Sequence, residues 1–323
     1  MIGGYHATLR YLLTASPEWR WWVIAYFFLG GLAGGSYFLS ALLDLIGTER
    51  DRHLSRLGYY IAFAAIVLCA PLLIIDLNRP DRFWHMLIQS ERPPLPMFKL
   101  WSPMSVGSWA LAVFGAFTFV SFLGALTESG LIHWGLARSL NNVVRRGRLS
   151  GLFGLVGSAF GFFLASYTGV LLSVSNRPIW ADSSLLGLLF LTSGGSSAAA
   201  LMLLLARRSS DVGAEAVRWL SSMDVSITIM ELIVLAAVLI SLGPVAAVLL
   251  ASGWGILLLV GVVGVGLLVP LLLHWRPRLL GNLSVPAAAV MALIGGFILR
   301  VVVVLSSDAV QHLASLGGFP WHG

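Results

Sequence analysis

Long apolar runs alternate with short polar joins along this chain. Eight runs can be read, at about 21–46, 57–77, 103–126, 149–173, 183–206, 219–241, 249–273 and 287–306. Each holds about 20 residues or more, the length a helix rising 1.5 Å per residue needs to cross about 30 Å of hydrocarbon. The runs are continuous, without the in–out alternation of barrel strands. The pattern predicts an all-α integral membrane protein with eight transmembrane helices.

The joins carry a repeated triplet. Asn78-Arg79-Pro80 follows the second run and Asn176-Arg177-Pro178 follows the fourth. Proline stops a helix and restricts the residue before it, asparagine suits a helix end, and arginine near a C-terminus complements the dipole. Helix-stop chemistry leaves Asp76 unexplained. It is read about one turn inside its apolar run, where an ionisable group costs about 2.5–3.5 kcal/mol and faces a polar cavity or partner.

Composition agrees with the pattern: 58% hydrophobic, 11% charged, mean hydropathy +0.90. Met1 to Arg20 is polar and mixed, so no cleavable leader is expected there. The 12 tryptophans gather near segment ends, like interfacial belts. The single cysteine, Cys69, excludes an intrachain disulfide or a cysteine-held iron–sulfur cluster in this chain. The excess of 20 basic over 14 acidic residues reports topology and headgroups, and no nucleic-acid partner is expected.

Basic residues orient the spans. Joins after the first, third, fifth and seventh runs hold 12 (Arg50, Arg52 and Arg56; Arg138, Arg145, Arg146 and Arg148; Arg207, Arg208 and Arg218; Arg276 and Arg278), against 7 on the opposite side. Both termini are therefore expected outside. The outer join 78–102 is long, basic and proline-rich, which suits a docking surface.

Glycines at four-residue spacing, Gly30, Gly31, Gly34 and Gly35 in the first run and Gly157 and Gly161 in the fourth, predict close helix approach, with a flat ring held against glycine as the other reading. All seven histidines, His274 included, lie in joins, tails or segment ends, so the facing axial histidines of a membrane cytochrome b are missing and no haem is expected. No cluster has metal-ligand spacing. Tyr26, Asp76, Tyr167 and Ser173 share one depth in the outer half of the first four spans, which points to a small polar pocket. In the last four spans, Asp224 and Glu231 lie seven apart on one helical face, and Arg300 sits deep in the eighth. A buried arginine calls for a carboxylate, so these residues form either a structural pair, Glu231 with Arg300, or a proton path. Asp44 reads as a helix-end polar residue.

Several of these motifs occur in order. Phe28-Leu-Gly-Gly-Leu-Ala-Gly-Gly-Ser36, Asp76-Leu-Asn-Arg-Pro-Asp-Arg-Phe-Trp-His-Met86, Ser102-Pro-Met-Ser-Val-Gly-Ser-Trp109 and Ser166-Tyr-Thr-Gly169 through Asn176-Arg-Pro-Ile-Trp180 resemble the NrfD-type membrane subunits of the polysulfide reductase family. Over the last four spans the likeness rests on Glu231 and Gly295-Gly-Phe-Ile-Leu-Arg300. The resemblance implies two four-helix bundles, here 1–182 with the quinone site and 183–323. It implies a prokaryotic cytoplasmic-membrane subunit without haem, exchanging electrons between quinone, such as menaquinone, and a docked ferredoxin-like iron–sulfur subunit. That partner would sit on the outer face near 78–102 and 174–182, with a molybdopterin catalytic subunit beyond it. Tyr167 would hydrogen-bond the quinone head group. The residues' own chemistry adds Asp76, which would take or give protons, Tyr26 at the same depth, and Arg79 and Arg177 at the pocket's outer rim. The first-span histidine of some members has no counterpart between Trp21 and Ile46. Two other readings stand beside this one: a secondary transporter with a polar intramembrane site, and a passive scaffold.

Overall fold

A computed structural model describes residues 19–316 apart from 20, 78, 90–94, 134, 136, 137, 140, 142–149, 176, 178, 210 and 211. Its helices are α1 (Trp21–Ile46), α2 (Arg52–Asp76), α3 (Pro103–Glu128), α4 (Ser150–Ser173), α5 (Leu186–Ala206), α6 (Ala214–Ser241), a short α7 (Pro244–Ala251), α8 (Gly253–Trp275) and α9 (Ser284–Leu316). All except α7 are long and apolar enough to cross a membrane, eight among the described residues, as the pattern predicts. The seventh run differs in detail. A separate short helix, α7, precedes α8 and takes only residues 249–251 of the run; it begins after Gly243 at φ 53 and ends at Ser252 in extended conformation.

α1 and α5 are the central helices: 78% and 67% of their most apolar stretches are buried, against 33–56% for the others. α1 packs on α2, α4, α5 and α9, and α5 also carries α4, α6 and α9. The glycine spacing of α1 serves this packing on two sides. A Cβ on Gly31 would meet Gly194 Cα at 3.2 Å and one on Gly35 would meet Ala198 Cβ at 2.8 Å, both on α5. A Cβ on Gly161 of α4 would meet Gly34 Cα at 3.2 Å. Backbones this close gain dispersion contacts that any side chain would abolish.

α8 is π-helical over Leu257–Leu268. Within this stretch Gly266 lies against Gly295 of α9, where a Cβ would come to 2.6 Å from Gly295 Cα. After α2 the chain makes a tight turn at Pro80–Met86, then Gln89 and Met97 donate backbone hydrogen bonds to Leu95 and Leu87, at 2.9 and 2.8 Å. This ties the described residues of the 78–102 connection, 79–89 and 95–102, into a flap at the ends of α2 and α3. Ser102 caps α3, accepting from the Ser105 amide, with Pro103 at the first helical position.

Candidate functional site

The N-terminal ends of α1 and α3 and the C-terminal ends of α2 and α4 border a cavity of about 390 Å³. Tyr26 of α1, Asp76 of α2 and Tyr167 of α4 all line it. Its walls are otherwise mainly apolar, with Phe27, Phe63, Ile66, Leu73 and Leu111 among them, and Phe83 and Met86 of the Pro80–Met86 turn close one side. Counting depth along each helix brings these three polar residues together. Ser173, at a similar depth, bonds back to the Val170 carbonyl at 2.8 Å and does not line the cavity.

Asp76 is the last residue of α2, half-buried, with Leu77 already extended. It thus stands at the helix terminus, closer to the surface than its place in the apolar run suggests. A carboxylate at a C-terminus opposes the helix dipole, so helix chemistry does not account for it. Tyr26 and Tyr167 are buried, and the Tyr167 hydroxyl donates to the Pro103 carbonyl in the first turn of α3. Gly107 makes room for that ring: a Cβ there would lie 2.5 Å from Cε1, Cζ and the hydroxyl oxygen of Tyr167. Gly107 and Trp19 both line the cavity, and sequence reasoning alone does not single them out as site residues. The one signal for Gly107 is its place within Ser102-Pro-Met-Ser-Val-Gly-Ser-Trp109.

The two triplets part company here. Asn78, Asn176 and Pro178 lie outside the described residues. Arg79 is exposed and does not line the cavity, but Pro80 opens the turn that does. Arg177 turns the other way: it is buried, pairs with Asp308 of α9, and stands 5.3 Å over the Trp180 ring. Trp180 donates its indole N–H to the Val303 carbonyl at 2.7 Å and stacks on Trp19 at 5.2 Å. Arg177 therefore stands behind the cavity wall, joining the two halves of the molecule. Ile179 beside it takes φ 70, an unfavourable conformation for a β-branched residue, while its amide donates to Asp182 at 2.9 Å.

In the second half, Arg300 is fully buried. It donates to Ser193 Oγ at 2.9 Å and to the carbonyls of Gly296, Phe27 and Phe190 at 2.6, 3.3 and 3.3 Å. Glu231, 1% exposed, accepts from Ser196 Oγ and is within hydrogen-bonding reach of Ser193. The direct Glu231–Arg300 pair expected from the sequence is thus a bridged one. α6 and α9 both pack on α5, and the α5 serines stand between the two charges. Asp224 is buried beside His274, a residue the sequence places at a segment end. At the opposite end of the first four helices, Asp44 accepts from Ser55 at 2.5 Å and Tyr59 at 3.0 Å on a smaller cavity of about 180 Å³. Among the described residues, no group of three or more His, Cys, Asp or Glu is arranged to hold a metal.

Residues 14–311 match the family model described as Polysulphide reductase, NrfD. The chain belongs to the NrfD family. The NrfD match runs through all eight spans, so the second half, where few motifs are visible, is included. Protein NrfD of Escherichia coli K12 is 29% identical over 309 residues, 88% of this chain and 93% of that protein. The C chain of polysulfide reductase from Wolinella succinogenes is 28% identical over 273 residues, 79% of this chain and 82% of that protein. The C subunit of selenate reductase from Mesobacillus selenatarsenatis is 27% identical over 99 residues, 31% of this chain and 21% of that protein. The last two are by name parts of reductases. This NrfD-family chain is accordingly a multi-pass membrane protein related to membrane subunits of oxidoreductase complexes.

Proposed function

We propose that this chain is the quinone-reactive membrane subunit of a respiratory reductase complex, exchanging electrons between the quinone pool and an iron–sulfur subunit docked on the outer face. The observation that carries the reading is the convergence of Tyr26, Asp76 and Tyr167, from three helices, on one apolar-walled cavity beside the 78–102 flap. A quinone such as menaquinone, when bound, supplies coupled electron and proton chemistry. The residues suit its shape: flat apolar walls for the ring, few polar groups, and a wall at Val67 that is 49% exposed on the lipid-facing side of α2, giving a tail a lateral way out. The Tyr167 hydroxyl, now on Pro103, donates to a head-group carbonyl by rotating about its ring bond. Asp76, at the outer end of α2, passes a proton between the cavity and the outer aqueous face.

The docking surface is the flap, where Phe98, Leu100 and Trp101 are 53, 74 and 81% exposed. The 174–182 segment offers less than the sequence implies, since Arg177, Ile179 and Trp180 face inward. A molybdopterin subunit lies beyond the iron–sulfur subunit, and haem has no role in this chain. Membership of the NrfD family favours this reading over transport.

The test is Tyr167→Phe and Asp76→Asn in the assembled complex. Loss of one hydrogen bond to a polar head group costs on the order of 1 kcal/mol, about fivefold, and more where a carbonyl is left unpaired. Quinol-coupled turnover should fall by at least that factor while assembly persists. Wild-type turnover and inhibitor sensitivity in both variants would remove the assignment. Orientation is checked separately: single cysteines at Leu100 and Arg208 should label from the outer and cytoplasmic sides respectively, and the reverse pattern would turn the molecule over.

A further inference from the structure

The end of the second half opposite the cavity holds two ionisable side chains that the proposed quinone chemistry does not use. Asp224 lies on α6, and His274 is the last residue but one of α8; their side chains are 3% and 6% exposed. His274 Nε2 stands 3.5 Å from Asp224 Oδ2. On the far side of the ring, Nδ1 is 2.9 Å from the Pro270 carbonyl. A carbonyl only accepts, so Nδ1 carries a hydrogen, and in a neutral imidazole the other nitrogen is then bare. A bare Nε2 facing an ionised carboxylate would set two acceptors against each other. Neither Nε2 nor Asp224 Oδ1 has a hydrogen-bond partner, and both are buried. Leaving such groups unsatisfied is costly. One added proton between Nε2 and Oδ2 removes the conflict, whichever atom carries it.

We propose that Asp224 and His274 form a proton-binding site, holding one proton in common at the end of the second half away from the cavity. Among the described residues, His274 is the only basic side chain with a nitrogen within 4.0 Å of an Asp224 oxygen. The other groups that bear on the site are few. Glu231 lies two turns along the same face of α6, about 10 Å of rise, with buried Thr228 between. Arg300 of α9 faces Glu231 through Ser193 of α5. Arg218, Arg276 and Arg278, at the same end as His274, are exposed. The inference is independent of the quinone reading.

The test reads the imidazole directly in the full chain, purified in detergent with 15N-labelled histidine, the His274 signals being those lost in His274→Gln. At neutral pH two results support the site. In one, both ring nitrogens are protonated. In the other, Nδ1 is protonated, Nε2 accepts a hydrogen bond, and a carboxylic-acid carbonyl stretch shifts in D2O. In either case Asp224→Asn should shift the Nε2 resonance and leave Nδ1 protonated, and in the second it should also abolish the stretch. A bare Nδ1 with a protonated Nε2 overturns the proposal. So does a bare Nε2 at its unbonded position with no D2O-sensitive acid stretch, a result the wild type gives by itself if Asp224→Asn does not assemble.

Discussion

In the first half of the chain, two tyrosines and a carboxylate line a cavity; in the second, an arginine and a glutamate face serines and backbone carbonyls. Both sets are polar residues in apolar helices, and by sequence alone both are candidates for chemistry. The difference lies in what surrounds them. Around Tyr26, Asp76 and Tyr167 the helix ends leave a cavity, and the Pro80–Met86 turn closes one side of it. Around Arg300 the glycines of α1 and α5 bring backbones together, and the guanidinium is taken up by three carbonyls and a hydroxyl. A buried charge is thus no evidence of a site until its partners are known. Glu231 and Arg300 are held by the serines and carbonyls of packed helices, whereas Asp76 and Tyr167 stand beside room for a ligand.

Breaking this contrast begins with its largest expected effect. Arg300→Met removes the cation from the bridged pair, strands Glu231, and should cost about 3–5 kcal/mol. The readout is the yield and melting temperature of purified protein. Arg300→Met combined with Glu231→Gln should recover much of the loss, because no lone charge remains buried. Wild-type stability in Arg300→Met alone would show that the second half is not held together this way. A smaller effect is expected at Gly107→Ala. Its Cβ would lie 2.5 Å from the Tyr167 ring, so the ring must move and its bond to Pro103 must break. Overpacking costs about 1–3 kcal/mol. Quinol-coupled turnover should drop more than the melting temperature does, and an equal response of both would make Gly107 a packing residue with no bearing on the cavity.

Depth is legible in the sequence and direction is not. Helical rise is constant, so residue counting places Tyr26, Asp76 and Tyr167 at one level, and the spans follow from apolar runs long enough to cross a bilayer. Which way a side chain points around its helix is read from amphipathicity, and helices apolar on nearly every face carry little of that signal. Arg177 shows the consequence: it has the depth of a cavity residue but points to α9. Ser193 and Ser196 escape sequence reasoning because the order of helices around α5, which makes them a bridge, is a fact of packing. His274 reads only as a segment end because nothing local marks the approach of Asp224 from another helix.

Arg300 also constrains the order in which this protein can be completed. Its hydrogen bonds reach Phe27 in the first span and Phe190 and Ser193 in the fifth, but it lies in the eighth. Chains are made from the N-terminus, so this donor is synthesised after all the groups it joins. Until α9 arrives, the seam between α1 and α5 lacks its central donor, and a chain released before residue 300 has no substitute for it. Arg300 therefore ties the first span to the fifth only once the eighth has been made.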